Sequence, residues 1–329
     1  RQLNFAKSSY FYFFSISERF SLPFCEKSCI FAGMKLHIFN PEHDIALAHN
    51  DPYFTAPHAG RQLRADFGFL PAVWAEDGDM VLVDDVESSL AHVRHLGSRA
   101  KDVVFLTKAD LRHSPYAQMQ KGEKGDDANR LEIVPWGWDV TLRHQLRKSL
   151  VDEAYLPDDQ QLERIRKFSN RRFSSRILSQ LVAADEQYIG ESWYVEEIAE
   201  IDTLLNDHRR LVVKAPWSSS GRGVRYVAEP LQSAERRWME NVITQQGCIM
   251  VEPYYNKVKD FAMEFYADGQ QVCYLGLSLF DTVKGTYSGN LLASEKVKRE
   301  EFAKYMSVQQ LDQLRMSIQQ LLTPLFANH

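Results

Sequence analysis

The chain has 329 residues, 44% of them hydrophobic and 25% charged, with a formal net charge of −5. That length accommodates two or three domains of ordinary size, and the composition is that of a globular protein. The acidic balance excludes the simplest nucleic-acid binder, whose footprint would be basic; the four cysteines (Cys25, Cys29, Cys248, Cys273) fit a reducing, cytoplasmic setting better than a disulfide framework.

Residues 1–33 are rich in aromatics (Tyr10, Phe11, Tyr12, Phe13, Phe14) without clear periodicity. Serines interrupt the apolar stretch and no small-residue cleavage site follows promptly, so it does not read as a secretory signal. Cys25 and Cys29 lack a second ligand pair of zinc spacing, so no metal site is read there. The segment is expected to be an extension outside the fold, which begins at Met34. No run is apolar and long enough to span a bilayer.

From Met34 the chain alternates strand and helix signals. KLHIF (35–39) is a β run, and Asn40-Pro41-Glu42-His43-Asp44 follows as a helix start, with Asn40 as N-cap and Pro41 at the first helical position. Further β runs are MVLV (80–83), VVFL (103–106) and LEIV (131–134); the second ends in Asp84-Asp85. The last leads through Trp138-Asp139 into a helical stretch over 140–150. This predicts an α/β domain over 34–157 with an open, mainly parallel sheet. Ligands bind such sheets beyond the carboxyl ends of the strands, which directs attention to Asn40, Glu42, His43 and Trp138. Each also has a bland reading: caps, strand ends and core aromatics. His43 and Asp44 are neighbours on a helix and do not face each other, so they are not read as a dyad.

Residues 119–130 read as a charged, glycine-bearing loop, and residues 157–159 as the boundary to a second domain over 158–329. That domain opens with a polar helix over 160–184. A strand (192–195) and a helix (196–206) precede the segment LVVKAPWSSSGRGVRYV (211–227). Here two β runs flank a small-residue loop, with a lysine entering it. Glycines let backbone N–H groups approach phosphate oxygens, and the lysine adds a point charge. A helix (231–245), a strand ending in Glu252 and a strand near Asp260 follow. Antiparallel pairing and a closing amphipathic helix at 308–326 make this domain α+β. Taken singly, Lys214 is an ordinary strand-end lysine, Glu252 an edge acid and Asp260 a turn acid.

Their order carries more than any one of them. VVKAPWSSSGRGV and IMVEPYYNKVKDFAMEF resemble the lysine–glycine-loop and hinge segments of the ATP-grasp superfamily, over roughly residues 160–328. The resemblance implies an ATP-dependent ligase that joins a carboxylate to an amine or thiol through an acyl-phosphate. It implies Lys214 on the nucleotide phosphates, Ser219, Ser220, Gly221 and Gly223 as a lid over them, and Arg222 as a further cation. It implies Glu252 at the hinge, the backbone of Tyr254 or Tyr255 on adenine, and Asp260 on the ribose hydroxyls. Arg171 stands where the family has a lysine. A glycine-bearing loop over 277–292 supplies Lys284, Tyr287 and Asn290 toward an acceptor. The family's magnesium ligands lie on late strands, which here would fall beyond His329. The chain as given is therefore expected to be an inactive fragment, or, alternatively, a non-catalytic nucleotide-binding or interaction protein. The implied partners are small molecules, with a homodimer left open.

Overall fold

A computed structural model describes residues 34–113, 131–219, 221–267, 269–283 and 286–326. The expectations for residues 1–33, the 119–130 loop, Ser220 and Lys284 lie outside the described residues. Contacts divide the chain into two compact units, with the division between Arg166 and Lys167.

In the first unit, β1 (Lys35–Ile38), β2 (Met80–Leu82), β3 (Val104–Leu106) and β4 (Glu132–Pro135) form one sheet in the order β3-β2-β1-β4. Every pairing in it is parallel, with Leu36 opposite both Met80 and Ile133. Parallel neighbours need crossover connections, which are supplied here by helices. α1 (His43–His49) and α2 (His58–Phe67) lie between β1 and β2, α3 (Val86–Leu96) between β2 and β3, and α4 (Lys108–His113) after β3; α5 (Val140–Lys148) and α6 (Asp159–Phe168), which runs across the division, follow β4. The core joins Leu36, Met80, Leu106 and Ile133 of the strands to Leu142 and Leu146 of α5. Each such side chain contributes roughly 1.5–3 kcal/mol on burial. The chain builds outward from β1 to β2 and β3, then returns to the other side of β1 as β4. The strand order therefore reverses between β1 and β4.

Two local expectations are corrected here. α1 begins at His43, and its N-cap position is Glu42 with no side-chain cap. Asn40 is not a helix cap: its amide donates to Gly137 O (2.8 Å) and accepts from Gly137 N (3.2 Å), which ties the end of β1 to the loop after β4. The polar stretch over 160–184 is two helices, α6 and α7 (Arg171–Ala184). The break is at Asn170, whose side chain accepts from Arg172 N and caps α7.

The second unit continues with β5 (Trp193–Val195), α8 (Ile198–His208), β6 (Arg210–Lys214), β7 (Val224–Ala228), α9 (Ser233–Gln246) and β8 (Ile249–Pro253). It ends with β9 (Asp260–Ala267), β10 (Val272–Val283), β11 (Thr286–Asn290), α10 (Glu295–Phe302) and α11 (Val308–Phe326). Two antiparallel sheets result, β5-β8-β6-β7 and β11-β10-β9. The stretch over 277–292 is thus mostly hairpin rather than loop: β10 runs to Val283 and pairs with β11.

Side chains alternate between faces along a strand, and both sheets use this to separate support from site. On β6, Leu211 and Val213 pack with Ile201 and Leu205 of α8 and Met239 of α9. Val212 and Lys214 take the other face. On β9, Met263 and the partly buried Phe261 and Phe265 join a core with Phe173 and Ile177 of α7 and Leu311, Leu314 and Ile318 of α11. Asp260, Ala262 and Glu264 take its other face. The two free faces meet through one small cluster, Val212 and Val224 with Ala262 and Phe280.

Candidate nucleotide and substrate sites

Lys214 lies on the inner face beside that cluster and is 1% exposed. Val212 stands opposite Glu252 in the β6–β8 pairing, and Lys214 opposite Met250, so Lys214 and Glu252 are diagonal neighbours on one face. The ammonium donates to both Glu252 oxygens at 2.6 Å. A buried cation without a counter-charge costs several kcal/mol, and Glu252 offsets that cost. Burial still draws the ammonium below the usual lysine range, against the pull of Glu252, and the nearby Arg171 guanidinium adds to the lowering.

Arg171 anchors the base of the loop. Its Nε donates to Ala215 O (3.0 Å) and its Nη2 to Ser218 O (2.7 Å). The loop then needs its glycines. Gly221 has φ of +76°, where a side chain is strained. A Cβ on Gly223 would lie 2.4 Å from the Ser218 side chain. Arg222 is exposed on this loop.

On the hinge side, the Arg210 guanidinium lies 3.8 Å over the Tyr254 ring, which meets Tyr226 edge-on. Tyr254 N donates to Arg210 O (3.0 Å), so that amide extends the sheet and is not a donor for a base. Tyr255 O accepts from Lys257 N. Across the cluster, Asp260 Oδ2 accepts from Lys257 Nζ (2.5 Å) and Thr282 Oγ1 (3.0 Å), while Asp260 Oδ1 is buried without a hydrogen-bond partner. Lys257 and Thr282 are functional candidates that sequence reasoning missed. The lysine three residues before Asp260 was a visible signal, whereas Thr282 reaches Asp260 only through β9–β10 pairing. Glu264, on the same face of β9, is a second omission: burial pushes its carboxyl up to about 7, against the pull of Lys298. Asn290 lies on β11 and donates to Ser278 Oγ (2.8 Å).

The first unit has its own polar site at the carboxyl ends of β1, β2 and β4. His43 Nδ1 lies 3.1 Å from Asp139 Oδ2, so the histidine's partner is an acid on another loop rather than its neighbour Asp44. Gly137 makes room for this pair: a Cβ there would lie within 2.3 Å of the imidazole. Asp139 also caps α5 by accepting from Leu142 N (2.8 Å). A cleft of about 180 Å³ opens alongside, lined by Asn40, Glu42, Arg64 and Lys108 among others. Trp138 instead packs against the core of the unit. Among the described residues, no cluster of three or more His, Cys, Asp or Glu side chains is placed to hold a metal. No helix among them is long and apolar enough to cross a membrane.

No family model and no curated protein matches the chain. Over most of its length the chain is similar to ATP-grasp enzymes of solved structure. One is the N5-carboxyaminoimidazole synthetase of Staphylococcus aureus complexed with ADP: 13% identity, 84% of this chain, 63% of that chain, TM-score 0.41. Another is the RimK domain ATP-grasp protein of Sphaerobacter thermophilus: 17% identity, 70% of this chain, 82% of that chain, TM-score 0.33. A third is the D-alanyl-alanine synthetase A of Vibrio cholerae: 10% identity, 85% of this chain, 82% of that chain, TM-score 0.35. The chain spans just under two thirds of the staphylococcal enzyme's length.

Proposed function

We propose that the second unit binds ATP and that the protein is an ATP-dependent ligase joining a small carboxylate to an amine or thiol. The observation that carries this reading is the Lys214–Glu252 pair, with Lys214 buried on the inner face of β6 and β8 beside a loop that needs glycine at 221 and 223. A desolvated ammonium acts on phosphate oxygens through a low effective dielectric, so it holds them far more strongly than a solvated lysine does. Ser219, Ser220, Gly221 and Gly223 cover the phosphates, and Arg222 adds a cation from the exposed side. Asp260 Oδ1, buried without a donor, fits the ribose hydroxyls, which are donors. Lys257 and Thr282 hold that carboxylate in place through its other oxygen.

In the reaction, the terminal phosphoryl group of ATP passes to a carboxylate oxygen and ADP leaves. The amine or thiol attacks the acyl carbon, phosphate departs with the C–O bonding electrons, and the nucleophile loses its proton. The protein's part is to position and to stabilise charge. Asn40, Glu42 and His43 of the first unit are assigned to the substrate side.

The test is calorimetric titration with ATP, followed by a screen of carboxylates with amines and thiols for ADP release. Micromolar to millimolar ATP binding together with substrate-dependent ADP release supports the ligase. Binding without release under any pair supports a non-catalytic nucleotide-binding protein, and no binding at millimolar ATP overturns the reading.

A further inference from the structure

We propose that the cleft of the first unit binds a small aliphatic α-amino acid, with its carboxylate on Lys108 and Arg61 and its ammonium on Glu42. This deepens the substrate role assigned above to the first unit, yet it stands on that unit's own geometry.

The strand order reverses between β1 and β4, and in open α/β sheets ligands bind at such a reversal, outside the carboxyl ends of the strands. The cleft lies there, between the loops that follow β1, β2 and β4. Its volume of about 180 Å³ slightly exceeds that of an apolar cavity that admits benzene, about 150 Å³, which limits the occupant to a small molecule.

The charges in the cleft define the occupant. Arg61, Arg64 and Lys108 are its cations; Glu42, Asp84 and Asp139 balance them. Asp139 is already committed to His43 and to the start of α5. Arg64 is held between Glu42 Oε1 and Asp84. Lys108 gives one of its three donors to Gln145 Oε1 (2.7 Å), and Arg61 gives Nη1 to Ala56 O (2.8 Å). The remaining donors of Lys108 and Arg61 favour an anion.

Glu42 supplies the opposite requirement. The residue is 9% exposed, its Oε1 is taken by Arg64, and its Oε2 is buried without a partner. A buried carboxylate oxygen without a donor costs free energy that a ligand N–H recovers. An anionic group and a cationic donor inside one small cleft describe a zwitterion. Apolar side chains of Phe54, Ala56, Leu82 and Leu142 form the remaining wall and leave space for an aliphatic side chain.

The test is titration of the full chain with L-alanine and L-valine, without nucleotide, followed by calorimetry and amide chemical shifts. Propionate, which lacks the ammonium, and ethylamine, which lacks the carboxylate, are the controls. Binding of alanine or valine at least about tenfold tighter than either control is expected. Glu42→Gln should lower alanine affinity about tenfold relative to propionate; Lys108→Met should weaken both. Native circular dichroism of each variant establishes that it is folded. Equal affinity for alanine and propionate, or no binding of either amino acid at millimolar concentration, overturns the proposal. Because nucleotide is absent, these results are independent of the ATP site.

Discussion

The two units place their charges by different means. In the first, a parallel sheet buries its strands in a hydrophobic core and the polar groups come from the loops and helices beyond the strand ends: Asn40, Glu42, Asp84 and Asp139 from loops, Arg61 and Arg64 from α2 and Lys108 from the start of α4. In the second, antiparallel strands carry the charges themselves, because alternation gives each strand one face for packing and one for chemistry. Lys214 and Glu252 are therefore fixed by the same register that fixes the fold, and Lys214 is 1% exposed. Strand-borne charges are thereby tied to the pairing of the sheet itself.

The sharpest way to break this comparison is to remove one member of the strand-borne pair. Glu252→Gln leaves Lys214 buried without its counter-charge. A loss of about 3–5 kcal/mol in urea unfolding is expected, the range for breaking a buried pair. The exposed Arg147–Glu153 pair, between the last turn of α5 and the turn after it, sets the other end of the scale: Glu153→Gln should cost less than about 1 kcal/mol. Equal effects would remove the distinction between the units.

A second test uses pH. Burial holds the Glu264 carboxyl near 7 in the folded chain, above its ordinary value of 4.5. The folded state therefore binds the proton more tightly than the unfolded chain. That stabilisation is fully present below about pH 4.5 and is lost as pH rises to about 7. Glu264→Gln removes the charge that burial penalises, so the variant should gain roughly 1–3 kcal/mol over wild type at pH 8 and little at pH 4. A pH-independent difference in melting would place the residue in water.

The smallest expected effect concerns the start of α7. Asn170 accepts from Arg172 N (2.7 Å), and Asn170→Ala should cost about 1 kcal/mol. Arg171, the next residue, grips the loop base, so the same variant should also weaken ATP binding modestly.

The strands and the fold class were legible in the sequence because apolar runs such as MVLV and VVFL signal buried strands directly. The helix start at Asn40 was misread for a physical reason: an asparagine before Pro41 has the chemistry of a cap, but here Gly137, nearly a hundred residues away, competes for its amide and wins. The break at Asn170 was visible as a capping residue inside a polar stretch and was overridden by the continuity of charge. The Lys214–Glu252 and Lys257–Asp260 pairs join residues the sequence had singled out or nearly so. His43–Asp139, Thr282–Asp260 and the Arg64–Glu42 pair depend on contacts between distant segments, which periodicity does not encode.

The central claim is that Lys214 is the phosphate-binding cation of the second unit. Calorimetric ATP titration of wild type and of Lys214→Met, each shown to be folded by circular dichroism, tests it most directly. A clear binding isotherm for wild type that weakens at least about a hundredfold in Lys214→Met is the predicted result. Unchanged ATP affinity in a folded Lys214→Met would contradict it and reduce the Lys214–Glu252 pair to a structural ion pair.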